Sequence, residues 1–160
     1  MSTEEDAERR EGRFLVTHAD EDSAVLKDVD RGQVHTLADN PGIEEGDVVE
    51  GAVEPEPPME VAYALVDVDE RRSLTVEESP EPPTTQARDV AADQSEGEVT
   101  RRERAGTGEL HVLTVPEDGT ERAVTDVLED EATLARAARL GVARVEVRSQ
   151  PGIVSVRYLP

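Results

Sequence analysis

Gly46-Asp47-Val48-Val49-Glu50-Gly51-Ala52-Val53, then a Pro-rich turn, then Val61-Ala62-Tyr63-Ala64-Leu65-Val66-Asp67-Val68 and Ser73-Leu74-Thr75-Val76 form the stretch that decides the fold. The stretch is rich in β-branched residues, and such side chains suit the pleated, half-buried surface of a sheet. Val48 to Val53 is expected as one strand, ended by Pro55, Pro57 and Pro58, which have no N–H to give to a ladder. Glu60 to Val68 carries apolar residues on both alternations, the pattern of a strand covered on both faces. Asp69-Glu70-Arg71-Arg72 reads as a charged turn and Leu74 to Val76 as a short closing strand.

Upstream, Arg13 to His18 reads as a strand and Asp20-Glu21-Asp22-Ser23 as a turn. Ala24 to Val29 and Gln33 to Leu37 are separated by Asp30-Arg31-Gly32, the pattern of a hairpin with a Gly-containing turn. Asn40-Pro41-Gly42 is a loop signal. Some six short strands in about 65 residues, with turn signals between them, predict a small barrel.

Downstream, Ser79-Pro80-Glu81-Pro82-Pro83 reads as a stiff, extended linker. Thr84 or Thr85 is placed to cap a short helix through Ala87, Val90 and Ala91, a face with little to bury. Glu98 to Ala105 and Glu109 to Val115 are expected strands. Val124, Val127, Leu128, Leu134 and Ala138 recur at helical spacing over Thr120 to Leu140, with a hinge near Asp130 and a C-cap glycine at Gly141. Val142 to Arg148 and Ile153 to Leu159 form a hairpin across Gln150-Pro151-Gly152. The predicted class is α+β: an N-terminal small all-β barrel joined by a Pro-rich linker to a β-β-α-β-β C-terminal domain. Its boundaries are an acidic tail at 1–12, the barrel at 13–77, the linker with room for a short helix at 78–97, and an α+β domain at 98–160.

Charge is the strongest compositional signal. Thirty-eight Asp and Glu face 17 Lys and Arg, a net charge of −21, and Lys27 is the sole lysine. Such an excess destabilises a compact chain by self-repulsion in dilute buffer, whereas at 1 M salt the Debye length is only about 3 Å. Acid excess with lysine loss therefore points to a salt-rich cytoplasm, as in halophilic archaea. Residues 1–100 hold 28 acidic and 8 basic residues, and residues 101–160 hold 10 and 9, so the two halves present different surfaces. There is no cysteine, hence no disulfide, thiolate nucleophile or Cys-ligated metal. No signal peptide or spanning run is visible, so a cytoplasmic location away from membranes is expected.

Catalytic candidates are few. His18, His35 and His111 are the only histidines. His18 and His35, across the first hairpin, could form a proton-transfer or metal pair beside Asp20 or Asp22, but the metal spacing is missing and two solvated strand residues are the simpler expectation. Asp20 with Asp22, Asp28 with Asp30, and Asp67 with Asp69 could each turn two carboxylates the same way, yet none has an EF-hand's Gly and distal Glu, and they read as solvated surface. Gly106-Thr107-Gly108 has neither the third glycine nor the helix of a dinucleotide motif. No cofactor, no metal and no catalytic residue is expected.

Binding is better provided for. Arg101, Arg102 and Arg104 cluster after the linker, and Arg136, Arg139, Arg144, Arg148 and Arg157 gather near the helix end and the final hairpin. Guanidinium forks hold phosphate in a bidentate geometry that survives salt better than a point charge. Pairing with the chain's own acids is the competing expectation. The candidate partner-binding residues are thus Arg101, Arg102, Arg104, Arg144, Arg148, Arg157, His18 and His35.

Gly46-Asp47-Val48-Val49-Glu50-Gly51 resembles the strand entry of small nucleic-acid-binding barrels of the OB, TRAM and SH3-like kinds. The resemblance covers one strand and the barrel pattern. The chain departs from such binders in having few basic residues in that half and only Phe14 and Tyr63 as stacking rings. The whole pattern, from acidic lead-in to Val156-Arg157-Tyr158-Leu159-Pro160, resembles small haloarchaeal proteins of unknown function. The expectation is a non-enzymatic binding or adaptor module with RNA or a ribonucleoprotein as partner. A protein-interaction or regulatory module using the C-terminal sheet is the alternative, and an enzyme built on His18 and His35 comes third.

Overall fold

The computed structural model describes residues 9–57, 62–104 and 106–160. The protein is α+β, with a closed five-stranded barrel and a second five-stranded sheet that carries helices. Contacts divide the chain into two compact units, residues 1–74 and 75–160.

In the first unit the strands are β1 (Arg10–Ala19), β2 (Ala24–Asp28), β3 (Val34–Leu37), β4 (Asp47–Pro55) and β5 (Tyr63–Ser73). They close in the order β1-β2-β3-β5-β4. Strand β1 is long enough to serve two neighbours: Phe14 and Leu15 pair with both β2 and β4, and a bulge after Val16 lets the strand turn the corner. Strands β3 and β5 meet in parallel at Leu37 and Tyr63, so the closure is not a simple meander. The interior is Phe14, Val16, Ala24, Leu26, Leu37, Ile43, Val49 and Val53, with Tyr63 and Leu65 packed against it.

The opening stretch supplies β4, most of it buried, and β5. Gly46, at φ 91°, starts β4 in a backbone region that glycine favours. Asp47 then anchors the strand. Its buried carboxylate accepts from the Glu44 N–H at 3.0 Å, Arg71 Nε at 3.0 Å and Ser73 Oγ at 3.0 Å, with Arg71 Nη2 at 2.8 Å. Gly51 sits at a bulge where a Cβ would lie 2.0 Å from the Asp67 carbonyl oxygen, so no other residue fits without backbone movement. Three expectations are corrected here. Asp69 to Arg72 is strand and not turn, because Asp47 and Glu50 hold Arg71 and Arg72 in register. Strand β5 is not covered on both faces: Val66 and Val68 are 42% and 53% exposed. Thr75 to Glu78 does not close the barrel. Pro58 to Val61, part of the expected turn and strand, and Met1 to Glu8 of the acidic tail lie outside the described residues.

In the second unit Thr75 to Glu78 forms β6, paired in parallel with β9 (Arg144–Gln150). With β7 (Val99–Glu103), β8 (Glu109–Thr114) and β10 (Ile153–Leu159), the order is β6-β9-β10-β8-β7. Ala105, the end of the expected strand before β8, is outside the described residues. Helix α1 (Thr85–Ala92) is capped by Thr84, whose Oγ1 accepts from the Ala87 N–H. Contrary to expectation its face is well buried: Ala87 and Ala91 pack on Leu110 and Val112, and the Gln94 amide donates to the Val112 carbonyl and Thr114 Oγ1. The Pro-rich segment therefore leads into a helix laid on this sheet. Helices α2 (Thr120–Glu129) and α3 (Glu131–Leu140) break at Asp130, which caps α3 through the Ala132 N–H, and Gly141 ends α3 at φ 75°. Helix α2 packs on β9, β10 and β6. Side chains alternate along a strand, so Leu110, Val112, Ile153, Ser155 and Arg157 share the α1 face, while His111, Val154, Val156, Tyr158, Val145 and Val147 share the other.

Candidate binding surfaces

The first surface is the outer side of the barrel on β1, β2 and β3. The ladder sets His18 opposite Val25, Val25 opposite Thr36, and Lys27 opposite Val34, and paired residues in a sheet point the same way. Val34 is 61% exposed, a large apolar side chain presented to solvent beside the only lysine. The β2–β3 turn below is stiffened by buried Asp28, whose Oδ1 accepts from the Asp30 and Arg31 N–H groups, both at 2.9 Å. Asp28 was expected as solvated surface; its turn bonds and the Arg31 guanidinium at 3.3 Å account for its burial. Asp20 likewise holds the β1–β2 turn, accepting from the Asp22 and Ser23 N–H groups.

Cations gather around this turn. Arg13 meets Asp30 at 2.9 Å, Arg31 donates to the Glu11 carbonyl at 3.0 Å, and Arg9 bonds Asp67. Arg9, Arg10, Arg31, Glu11 and Gln33 line an open cleft of about 770 Å³. Of the eight basic residues in positions 1–100, five (Arg9, Arg10, Arg13, Lys27, Arg31) fall between 9 and 31. That clustering is visible in the sequence, but counting charge over the whole half hides it.

His18 and His35 do not form a pair. His18 is exposed on the outer face, 3.5 Å from Asp20. His35 points inward, between the rings of Phe14 and Tyr63 at centroid distances of 5.8 and 4.6 Å. Both its ring nitrogens are buried without a hydrogen-bond partner among the described residues. Burial pushes its pKa below the ordinary value, against the pull of Asp28. The two candidate stacking rings thus line the interior, and His35 belongs to the core rather than to a site. Among the described residues no group of three or more His, Asp or Glu is placed to hold a metal ion.

The second surface is the α1 face of the second sheet. Arg102, Arg104 and Arg157 line one cavity of about 300 Å³ with Thr84, Gln86 and Leu110. Arg157 and Arg148 both bond Glu146, at 2.8 and 2.7 Å, and Arg148 also meets Glu81 at 2.9 Å. Burial raises the Glu146 carboxyl, and the two guanidiniums more than reverse it, leaving it below the usual range. Arg144 is exposed at the start of β9. Arg101 pairs with His111 across the ladder and so lies on the opposite face. The expected cluster is therefore split, with Arg102, Arg104 and Arg157 together and Arg101 apart.

On that opposite face Glu109 accepts from Arg136 Nη2 at 2.7 and 3.0 Å and from its Nε at 3.1 Å, and meets His111 at 2.8 Å. Sequence reading missed this network, since Glu109 and Arg136 are distant in the chain and alternation alone does not pair them. Burial raises Glu109, and His111 and Arg136 outweigh it, so its pKa is lowered; burial lowers that of His111 despite Glu109.

A family model for a family of unknown function, DUF5812, matches residues 10–149. The chain belongs to this family. The match runs from the first barrel strand to β9, and so takes in the first surface and Arg102 and Arg104 of the second, but not Arg157 on β10. No curated protein and no solved structure matches the chain. Among the described residues no helix is long and apolar enough to cross a membrane.

Proposed function

We propose that this family member is a non-enzymatic RNA-binding module of a salt-rich cytoplasm, and that its two units are separate domains of which the barrel is OB-like. The supporting observation is the barrel's strand order, β1-β2-β3-β5-β4 with β3 parallel to β5. OB barrels have this order, and in them the β2–β3 face and adjoining loops take single-stranded ligands. On this reading Val25, Lys27, Val34 and Thr36 form the floor, His18 one edge, and Arg13 and Arg31 the phosphate side. With no Phe or Tyr on this face among the described residues, bases rest on aliphatic carbon and on the His18 imidazole at the edge. In molar salt counterion release contributes little, so binding relies on shape, apolar contact and forked guanidinium bonds.

Purification in about 2 M KCl, followed by the 260/280 nm absorbance ratio with and without nuclease, tests this. A ratio that falls on nuclease treatment supports it; a protein free of nucleic acid that also ignores total RNA in high salt contradicts it. The alternative, a protein partner on the second sheet, is favoured by one observation: β7 is an edge strand with Val99 50% exposed, a surface suited to strand addition.

A further inference from the structure

We propose that the cavity lined by Arg102, Arg104 and Arg157 is a second ligand site, independent of the barrel, that takes the phosphate group of a small organic phosphate monoester. Although the chain is acidic, three arginines and one glutamate line this cavity. Thirty-eight acidic side chains are available to 17 basic ones, yet among the described residues Arg102 makes no ion pair. The Arg104 guanidinium is oriented by the Thr107 carbonyl at 3.1 Å and also meets no carboxylate. Arg157 is fixed by Glu146 at 2.8 Å, which it shares with Arg148. Glu103 also reaches the rim without pairing with either neighbour. Three guanidiniums thus line the cavity beside one lining carboxylate, Glu103, with Glu146 behind Arg157.

Such an arrangement suits a phosphate better than a carboxylate. A phosphate monoester carries about −1.5 to −2 charge and three acceptor oxygens, enough to engage several forks at once. In molar salt a single ion pair is screened, while multidentate geometry persists. The remaining walls say what accompanies the phosphate. Leu110, 6% exposed, gives an apolar floor and the Gln86 amide a polar side. The volume, about 300 Å³, is at the lower end for small-ligand pockets, about 300–1,000 Å³, and too small for a polymer to thread. Thr84 is occupied in capping α1 and contributes shape.

The test uses the full chain in about 2 M KCl, with adenosine 5′-monophosphate, adenosine and inorganic phosphate as probes and the Arg side-chain N–H resonances as the readout. The monophosphate should bind and shift the Arg102 and Arg104 signals, with adenosine inert and inorganic phosphate weaker. Arg102→Gln, an exposed substitution that leaves the fold intact, should weaken it about tenfold or more, the loss of one charge-assisted fork. Arg101→Gln, on the opposite face, and Lys27→Ala, on the barrel, should leave it unchanged. No binding of the monophosphate up to about 10 mM, adenosine binding as tightly, or equal loss with Arg101→Gln would overturn the site. Because Lys27 belongs to the barrel surface, failure of the RNA reading and failure of this one are told apart.

Discussion

Replacing Asp47 by Ala removes the acceptor on which the start of β4 and the end of β5 both depend. The side chain is 2% exposed and receives the Glu44 N–H, Ser73 Oγ and two Arg71 nitrogens, all between 2.8 and 3.0 Å. An orphaned, partly buried N–H and hydroxyl cost about 1 kcal/mol each. The Arg71 pair is worth less than a buried one, since its guanidinium is 42% exposed and water replaces the carboxylate, so about 0.5–1 kcal/mol is assigned to it. The sum is about 3 kcal/mol. Urea unfolding in about 2 M KCl, followed through an NMR signal of Tyr63 in the barrel, would show it. With a slope of about 1.5–3 kcal/mol per M, the midpoint should fall by about 1–2 M. Asp47→Asn keeps the shape and one acceptor and should lose about half as much. A midpoint for Asp47→Ala within about 0.3 M of the parent would refute the claim that this carboxylate anchors the barrel.

Gly51→Ala places a methyl about where the Asp67 carbonyl oxygen stands, and should cost about 3 kcal/mol or more or abolish barrel folding; a midpoint unchanged in the same urea assay would count against the β4–β5 geometry. His35 is held neutral in the folded state, so its pKa there lies below the unfolded value of about 6.5. The folded chain then binds fewer protons than the unfolded one below that pH, and the stability contributed is full above it and lost as pH falls through the folded pKa. Thermal midpoints should therefore drop between about pH 7 and pH 5, less steeply in His35→Leu, with the remainder coming from His111, shifted the same way; a parent and variant with identical pH profiles would contradict this. At a net charge of −21, circular dichroism should show structure lost below about 1 M salt, and full folding in dilute buffer would contradict the salt-adapted reading.

Much of the fold was legible because local signals and tertiary needs agreed. Val48 to Val53, the Asp30-Arg31-Gly32 hairpin, the break at Asp130 and the glycine cap at Gly141 all stand where pattern and turn chemistry put them. The failures have a common cause. Leu74 to Val76 reads as one more barrel strand because sequence adjacency carries no information about which sheet a strand joins, and its partner β9 is nearly 70 residues away. Ala87 and Ala91 looked like a poor helical face because alanine is small, yet a close approach to Leu110 and Val112 is what small residues permit. Asp69 to Arg72 carried the charges of a turn, and only Asp47 and Glu50, two strands' worth of chain away, make them a strand.

For the candidate surfaces the same limit applies. The arginines were legible as a group, but strand alternation separates Arg101 from Arg102, and only the ladder shows that Arg157 joins Arg102. His18 and His35 lie on β1 and β3, either side of β2, and face opposite ways, a distinction set by the bulge after Val16. The five barrel cations between residues 9 and 31 were masked by the acid around them.

The most direct test of the RNA reading is a titration of the full, isotope-labelled chain with a short single-stranded RNA in about 2 M KCl, read by backbone amide shifts. The account predicts saturable shifts centred on Val25, Lys27, Val34 and Thr36, lost in Lys27→Ala combined with Val34→Ser. Shifts confined to the second sheet, or none at saturating RNA, would contradict it.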